Sequence, residues 1–473
     1  MAEFDYIKAI EGMLEDAKKL AAITAGAIEP LRPTKPNELK LRRKLAMTAK
    51  KVAFEVGDPA DIARSKWVEL ADVGAANLFI DWKVFDHIPL DDPAGISVQA
   101  LAAAVGADES VVGRIASLLV STSTLRLGQG SSGSSMHVSH SRISPLYTSK
   151  HPFSPLVTVA VGNGMKPYAQ WPSYFSTYGR REPTAVTNTP FSFSWGHPEL
   201  EPWAVKALYP EYARKFEKSM ASRDMVTGYL KLAGPGSMYD FSWVGELAKR
   251  RREQAELQDW GRDKSLDEKA NAAINGNSNT NGSSKPSPKL APVVVDVGGG
   301  LGQLLGDMLR EIPGLHPSQC ILQDREEVIQ AAVAQIRNTP SSKSLNEIGI
   351  MPHDFHQPQP ASSQNATIYF VRRILLDYPD SLAINILKHL ANALPFPDAY
   401  DGAERARVFI MEPRLVDTPN PMNRIVDMVM LNIGGKLRNE KMYMHLAQQA
   451  GLKVVGYYTR EADTAVVVEC ARA

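Results

Sequence analysis

Residues 292–308 read PVVVDVGGGLGQLLGDM and constrain the fold more than any other run in the chain. A short run of β-branched residues, broken here by a single Asp, is the pattern of a strand covered on both faces. The glycines that follow, Gly298, Gly299, Gly300 and Gly302, let backbone approach a ligand closely where a helix begins. Further strand signals fall at Cys320–Gln323, Gly349–Pro352, Thr367–Val371, Val408–Met411, Lys453–Tyr458 and Thr464–Cys470. Apolar helical runs separate the first five strands, which predicts a doubly wound, mostly parallel sheet. The last two are joined by TREAD, too short for a crossover helix, and should pair antiparallel. The expectation is an α/β, Rossmann-like sheet of seven strands.

The 473 residues are enough for two or three domains. Lys plus Arg number 53 against 52 Asp plus Glu, so no global field draws the chain to nucleic acid or to an anionic membrane. Cys320 and Cys470 are the only cysteines, which excludes a disulfide framework or a cysteine zinc cluster. The N-terminal run is an acidic amphipathic helix pattern, not a signal peptide, and no stretch approaches the roughly 18 to 20 apolar residues of a membrane span. A cytoplasmic protein is expected.

Before the sheet lie residues 1–150, an N-terminal helical region interrupted by Pro30, Pro33 and Pro36, and then a winged-helix pattern. In that pattern Ser97 is the expected N-cap of ISVQALAAAVGA, DESVVGRIASLLVSTS is the next helix, and a ribbon turns at Gly128–Ser135. Its would-be recognition helix carries one Arg on an apolar surface and lacks the basic stripe that DNA binding needs. Residues 151–263 are helical and rich in aromatics and Met; residues 264–291 are Asn/Gly/Ser/Pro-rich and read as a disordered insertion; residues 292–473 form the sheet domain.

A glycine-rich turn alone does not choose among NAD, FAD and S-adenosylmethionine (SAM). Three details favour SAM. GGGLG lacks the third glycine of the dinucleotide fingerprint. Asp296 lies at the end of the first strand, where a carboxylate disfavours a pyrophosphate but suits an ammonium or an ordered water. Asp324 follows the second strand, where an acid grips ribose hydroxyls. A glycine turn without a ligand is the remaining alternative.

The runs VVVDVGGGLG, ILQDREEVI, PHDFHQPQP, IYFVRRILLDYPDS, RVFIMEPRL and RIVDMVMLNIGGKLRNE resemble the fungal O-methyltransferases of secondary metabolism. The resemblance is strongest from residue 292 onward and extends over most of the chain. It implies SAM as cofactor, with Asp296, Gly298, Gly300 and Gly302 at the turn, Asp324 on the ribose, Asp354 and Phe355 flanking the adenine, and Arg372 in contact with the cofactor. It also implies a homodimer built through the N-terminal domain.

The proton-handling residues depart from that pattern. Where the family has His-Asp-Trp, whose His is the general base, this chain has Leu376, Asp377 and Tyr378. Where the family has Gly-Lys-Glu-Arg-Thr, whose Glu orients that His, this chain has Gly435, Lys436, Leu437, Arg438 and Asn439. Glu412 matches a second acidic residue beside the base and is retained. Leucine neither takes a proton nor titrates, and loss of base catalysis typically costs about 10² to 10⁴-fold. A branch of the same fungal proteins, the SAM-dependent pericyclases of leporin and pyridone-alkaloid type, keeps the fold and transfers no methyl group. The resemblance therefore implies dehydration or pericyclic cyclisation of a polyketide-type small molecule in a shaped cavity. Methyl transfer to an already ionised hydroxyl and a non-catalytic partner protein are the alternatives.

His151 and His197 are candidate donors to a substrate carbonyl, or simply a surface and a loop histidine. Asp377 is a candidate for orienting a donor, or for bracing its helix. Trp195, Met220, Leu376, Asp427, Met430 and Leu437 are the candidate walls of the substrate pocket. His137, His140 and His151 lack the carboxylate or Cys partners of a metal site, so no metal is expected.

Overall fold

The computed structural model describes residues 5–24, 36–132, 135–221, 231–256, 292–338, 345–399, 402–417, 420–460 and 464–473. The expected insertion 264–291, the prolines Pro30 and Pro33, and the tip residues Gly133 and Ser134 lie outside them. The chain divides into two compact units, Met1–Gly162 with Tyr209–Thr227, and Asn163–Leu208 with Gly228–Ala473. The helical region 151–263 is thus shared between the units.

In the first unit, helices Val98–Val105 and Glu109–Ser121 follow helix Pro59–Asp81. Each starts where a short polar side chain replaces the missing backbone acceptor. Asp58 accepts from Ala60 and Asp61, Ser97 from Ala100 at 3.2 Å, and Asp108 from Ser110 and Val111. Strands β1 (Ile96–Ser97), β2 (Leu125–Leu127) and β3 (His137–His140) form a small antiparallel sheet in the order β1-β3-β2. Phe79, Phe85, Leu101, Leu119, Leu125 and Val138 fill the core between helices and ribbon. This is the arrangement expected of a winged helix. The helices before it leave large side chains in solvent, among them Ile10 (48% exposed), Phe54 (63%) and Trp67 (76%).

The second unit holds β4 (Val294–Val297), β5 (Cys320–Asp324), β6 (Gly349–Pro352), β7 (Ile368–Arg372), β8 (Arg407–Pro413), β9 (Leu452–Thr459) and β10 (Ala465–Arg472). Their order is β6-β5-β4-β7-β8-β10-β9, with β10 antiparallel to both of its neighbours. The seven strands and the closing hairpin match the sequence expectation; strand ends differ by one or two residues, where pairing rather than hydrophobicity sets the limit.

Successive residues of a strand face opposite sides of the sheet. Phe370 and Phe409 enter a core shared with Phe241, Leu304, Leu305 and Met308. Tyr369, Val371, Val408 and Ile410 enter the other, with Ile386, Leu387, Tyr443 and Leu446. Burial of such side chains contributes about 1.5–3 kcal/mol each, which holds both helical layers on the sheet. Strand order reverses between β4 and β7, so the carboxyl ends of these two strands open a crevice of the kind that takes ligands. Among the described residues no helix is long and apolar enough to cross a membrane.

Candidate functional site

The crevice begins at the glycine turn. Gly298 has φ +66°, and a Cβ there would meet Ile374 at 2.6 Å and Phe355 at 3.3 Å. A Cβ on Gly299 would meet the Asp296 carboxylate at 2.4 Å. Only glycine fits at either position, and the turn delivers the chain to the N-terminus of helix Gln303–Glu311.

Asp296 is the least satisfied group in this region. It is 1% exposed, and neither carboxylate oxygen has a hydrogen-bond partner. Burial pushes its pKa up to about 7, while the Arg372 charge pulls the other way. A buried carboxylate without donors demands a ligand that brings them, and the ammonium of SAM does so. Asp324 accepts from Gly300 N at 2.9 Å and from Arg325 N at 2.8 Å. Burial raises its pKa as well, and those two amides oppose the rise. Asp354 accepts from His356 N at 2.9 Å, and Phe355 stands edge-on to Tyr378 at 5.8 Å. The donor set and the space kept clear by glycine fit SAM, which Asp296, Gly298, Gly300, Gly302 and Asp324 would hold.

From β7 the chain passes through Arg373, at φ +57°, into a 3-10 turn, Leu375–Asp377. This link is held from two sides. Glu412 Oε1 accepts from Ile374 N, Leu375 N and Leu376 N at 3.0, 2.6 and 3.2 Å, and its Oε2 accepts from the Tyr443 hydroxyl at 2.9 Å. Arg438, fully buried, donates to Leu375 O at 2.7 Å, to Tyr378 O at 2.8 Å and to Asp380. Glu412 therefore serves the backbone of the link and has no role in orienting a base.

The second leucine is brought to the first by backbone. Lys436 N donates to Leu376 O at 2.9 Å, and a Cβ on Gly435 would lie 2.0 Å from that same oxygen. Leu437 N donates to Asp427 Oδ1 at 2.8 Å, which ties this loop to helix Pro421–Ile433. Leu376 and Leu437 are 2% and 1% exposed. Beside them lies a cavity of about 590 Å³. Its apolar wall is Phe175, Leu415, Met428, Leu431, Leu437 and Met442; its polar wall is Arg180, Arg181, Glu182, Asp427 and Lys436. Lys436 Nζ pairs with Glu182 at 2.7 Å and lies 3.7 Å from Asp380. The two sides of the cavity are fastened together through Asn432, which accepts from Trp171 Nε1 at 2.8 Å and donates to Asn163 O at 2.8 Å.

Asp427 and Leu437 are thus both expected and found on the cavity wall, with Leu376 and Asp377 in the link hydrogen-bonded to it. Met430 is buried within helix Pro421–Ile433 and is not part of that wall. Trp195 and His197 also lie outside it. The Trp195 ring carries Lys166 Nζ 3.6 Å above its face, and His197 Nδ1 is 3.8 Å from Glu199. His151 and Met220 belong to the first unit. His151 precedes helix Ser154–Ala160 in a turn, where its Nδ1 accepts from Phe153 N at 3.2 Å and burial lowers its pKa. Met220 lies in helix Pro210–Ala221. The cavity cations Arg180, Arg181 and Lys436 were not anticipated. The dipeptide Arg180-Arg181 after the helix stop Gly179 was the signal available.

Comparison with known proteins agrees with this geometry. The O-methyltransferase domain family matches residues 287–453. Methyltransferase cfoD of Aspergillus candidus is 31% identical over 439 residues, covering 91% of this chain and 92% of that one. The crystal structure of OxaC in complex with sinefungin and meleagrin shares the fold, with TM-score 0.72, 17% identity and 99% of each chain covered. So does the structure of LepI in complex with SAM, with TM-score 0.68, 18% identity, and 98% of this chain and 100% of that one covered. In sequence, O-methyltransferase lepI of Aspergillus flavus aligns over 157 residues at 34% identity, 32% of this chain and 35% of that one.

Proposed function

The chain belongs to the O-methyltransferase family of fungal secondary metabolism, and we propose that it methylates an acceptor that enters the pocket already ionised. The observation that carries this reading is the cavity wall. Both positions for proton handling are leucine, while Arg180, Arg181 and Lys436 line the space beside them. Bound SAM supplies a methyl group on a positively charged sulfur, and an anionic acceptor attacks it without help from a base. Leu437 on the wall and the buried Leu376 next to it offer that position no proton acceptor, and the three cations outnumber Glu182 and Asp427 on the polar wall, which favours an acid. The acceptor class that follows is a flat enol acid of polyketide type, such as a 3-acyl-4-hydroxy-2-pyridone.

A second reading rests on the same leucines and on the partial match to lepI. In it the protein is a pericyclase that binds SAM and leaves it unconsumed. The relatives that match most of this chain in sequence carry the name methyltransferase, which places this reading second. Labelled SAM separates the two. Label entering the enol acid, and entering a phenol of ordinary acidity about 10²-fold more slowly or less, is the expected result. SAM that binds, stays intact and accompanies a changed isomer ratio of an unstable precursor would sink the methyl-transfer reading.

The homodimer is proposed from the first unit, where Ile10, Phe54 and Trp67 stand exposed on helices. Large apolar side chains left in solvent are candidates for an association surface. Wild type is expected to sediment as a dimer, and Phe54→Glu with Trp67→Glu as a monomer; a double variant that remains dimeric places the interface elsewhere.

A further inference from the structure

Lys436 lines the cavity with its charge already engaged. Its Nζ stands 2.7 Å from Glu182 Oε2 and 3.7 Å from Asp380 Oδ2. The second distance is too long for a hydrogen bond. Asp380 is held instead by Arg438, whose Nε and a second guanidinium nitrogen donate to its Oδ1 at 3.0 and 2.8 Å. Glu182 is therefore the partner that holds the ammonium. Backbone fixes the root of the lysine: its N donates to Leu376 O at 2.9 Å, and Leu437 follows it in the chain. The charge is rooted between the two leucines that replace the proton-handling residues of the family.

Glu182 is held less firmly. It lies in residues 179–189, a stretch without helix or strand between helices Lys166–Tyr178 and Pro190–Ser194. The later half of this stretch is seated. Val186 packs against the sheet core, the Tyr174 hydroxyl donates to Asn188 O at 2.8 Å, and Asn188 N donates to Pro198 O at 2.7 Å. A Cβ on Gly434 would meet Ala185 O at 3.0 Å. The earlier half, residues 180–182, is exposed and turns on Gly179 at φ +89°. The Glu182 side chain is 65% exposed against 23% for that of Lys436. An ion pair this open to water shifts an equilibrium by a factor of about five or less. The carboxylate can leave at small cost, while the half-buried lysine stays.

We propose that Glu182 is a resident competitor for Lys436, and that an anionic oxygen of the acceptor takes its place on the ammonium. The proposal rests on the reading of the acceptor as an anion. It deepens that reading by naming the group that receives the charge and the group that gives way. The exchange replaces one charge-assisted hydrogen bond by another and returns Glu182 to water. It makes the cavity selective by charge, because a neutral molecule of the same shape gains nothing from a lysine that Glu182 still holds.

The test is calorimetry on full-length protein loaded with S-adenosylhomocysteine (SAH), in about 0.15 M salt so that distant charges are screened. Two ligands are compared, a 3-acyl-4-hydroxy-2-pyridone as its anion and the neutral 4-O-methyl ether of the same compound. Glu182→Gln should tighten binding of the acid by about three- to fivefold and leave the ether within about twofold. Lys436→Met should weaken the acid by about tenfold or more and leave the ether within about threefold. The double variant separates competition from plain repulsion. With the lysine gone there is nothing to compete for, so adding Glu182→Gln to Lys436→Met should change acid affinity by less than about twofold. A gain as large as in the lysine background shows that Glu182 only repels the anion, and overturns the proposal. So does Glu182→Gln or Lys436→Met binding the acid as wild type does, or Glu182→Gln tightening acid and ether alike. SAH affinity reports folding, and if Lys436→Met loses it, Lys436→Gln takes its place in the cycle. Methyl transfer is read separately from label. Acid binding in the expected pattern without label transfer sinks the methyltransferase reading alone, whereas label transfer to the acid with unchanged KM in Glu182→Gln sinks this proposal alone. No binding of the acid by wild type at millimolar concentration overturns both.

Discussion

Glu412→Ala is expected to destabilise the second unit by about 3–5 kcal/mol, the usual effect of removing one partner from a buried charged network. Glu412 is 2% exposed and both of its oxygens are fully engaged, by three consecutive amides and by Tyr443. Its neighbour Arg438 is itself buried and pulls the Glu412 pKa down against the upward push of burial. Alanine would leave three amides and a hydroxyl facing a void that none of them can fill, and would remove the negative charge that acts on the buried Arg438. Each unsatisfied donor costs about 1–3 kcal/mol, so even partial relaxation leaves a loss that denaturant titration resolves easily. Glu412→Gln keeps the shape but turns one acceptor into a donor, and a loss of about 1–3 kcal/mol follows. A loss below 1 kcal/mol for Glu412→Ala would show that the link between β7 and helix Asp380–Ala393 is not held as described.

The same residue shows what local sequence reveals and what it hides. The seven strands, the closing hairpin and the Ser97 cap were legible because each depends on short-range pattern: apolar runs, linker length, one side-chain oxygen ahead of a helix. The proposed cofactor cradle could be read for the same reason, since Asp296, the glycine turn and Asp324 lie within two strands of one another. Glu412 was readable as present but not in its role, because its partners Leu375 and Leu376 come from a different strand connection. The cavity was hidden more completely. Its walls come from residues 175–182 and 415–442, which no periodicity relates. The pairing of Glu182 with Lys436 was invisible for a further reason. In GRREPTAV the glutamate reads as one solvated charge among three, and only the fold brings Lys436 against it.

Leu376→His combined with Leu437→Glu should move activity in opposite directions on two acceptors. With a phenol, which arrives protonated, the pair restores a base and its orienting acid, and kcat/KM should rise by about 10² or more. With an enol acid, which arrives ionised, a base has nothing to remove. There the substitutions act only through packing and charge. Both leucines are 2% exposed or less, so each change buries a polar side chain. A glutamate at position 437 also sits on the loop whose amide is already held by Asp427, where a second negative charge repels the first and the incoming anion. Turnover of the enol acid should therefore fall by about tenfold, an effect of roughly 1.4 kcal/mol on the barrier. The crossing is the diagnostic feature, because a variant that merely misfolds loses both activities. If the protein is instead a pericyclase, the double variant slows cyclisation and no acceptor gains label. If neither rate changes, Leu376 and Leu437 do not border the reacting atoms, and the cavity beside them is not where the chemistry occurs.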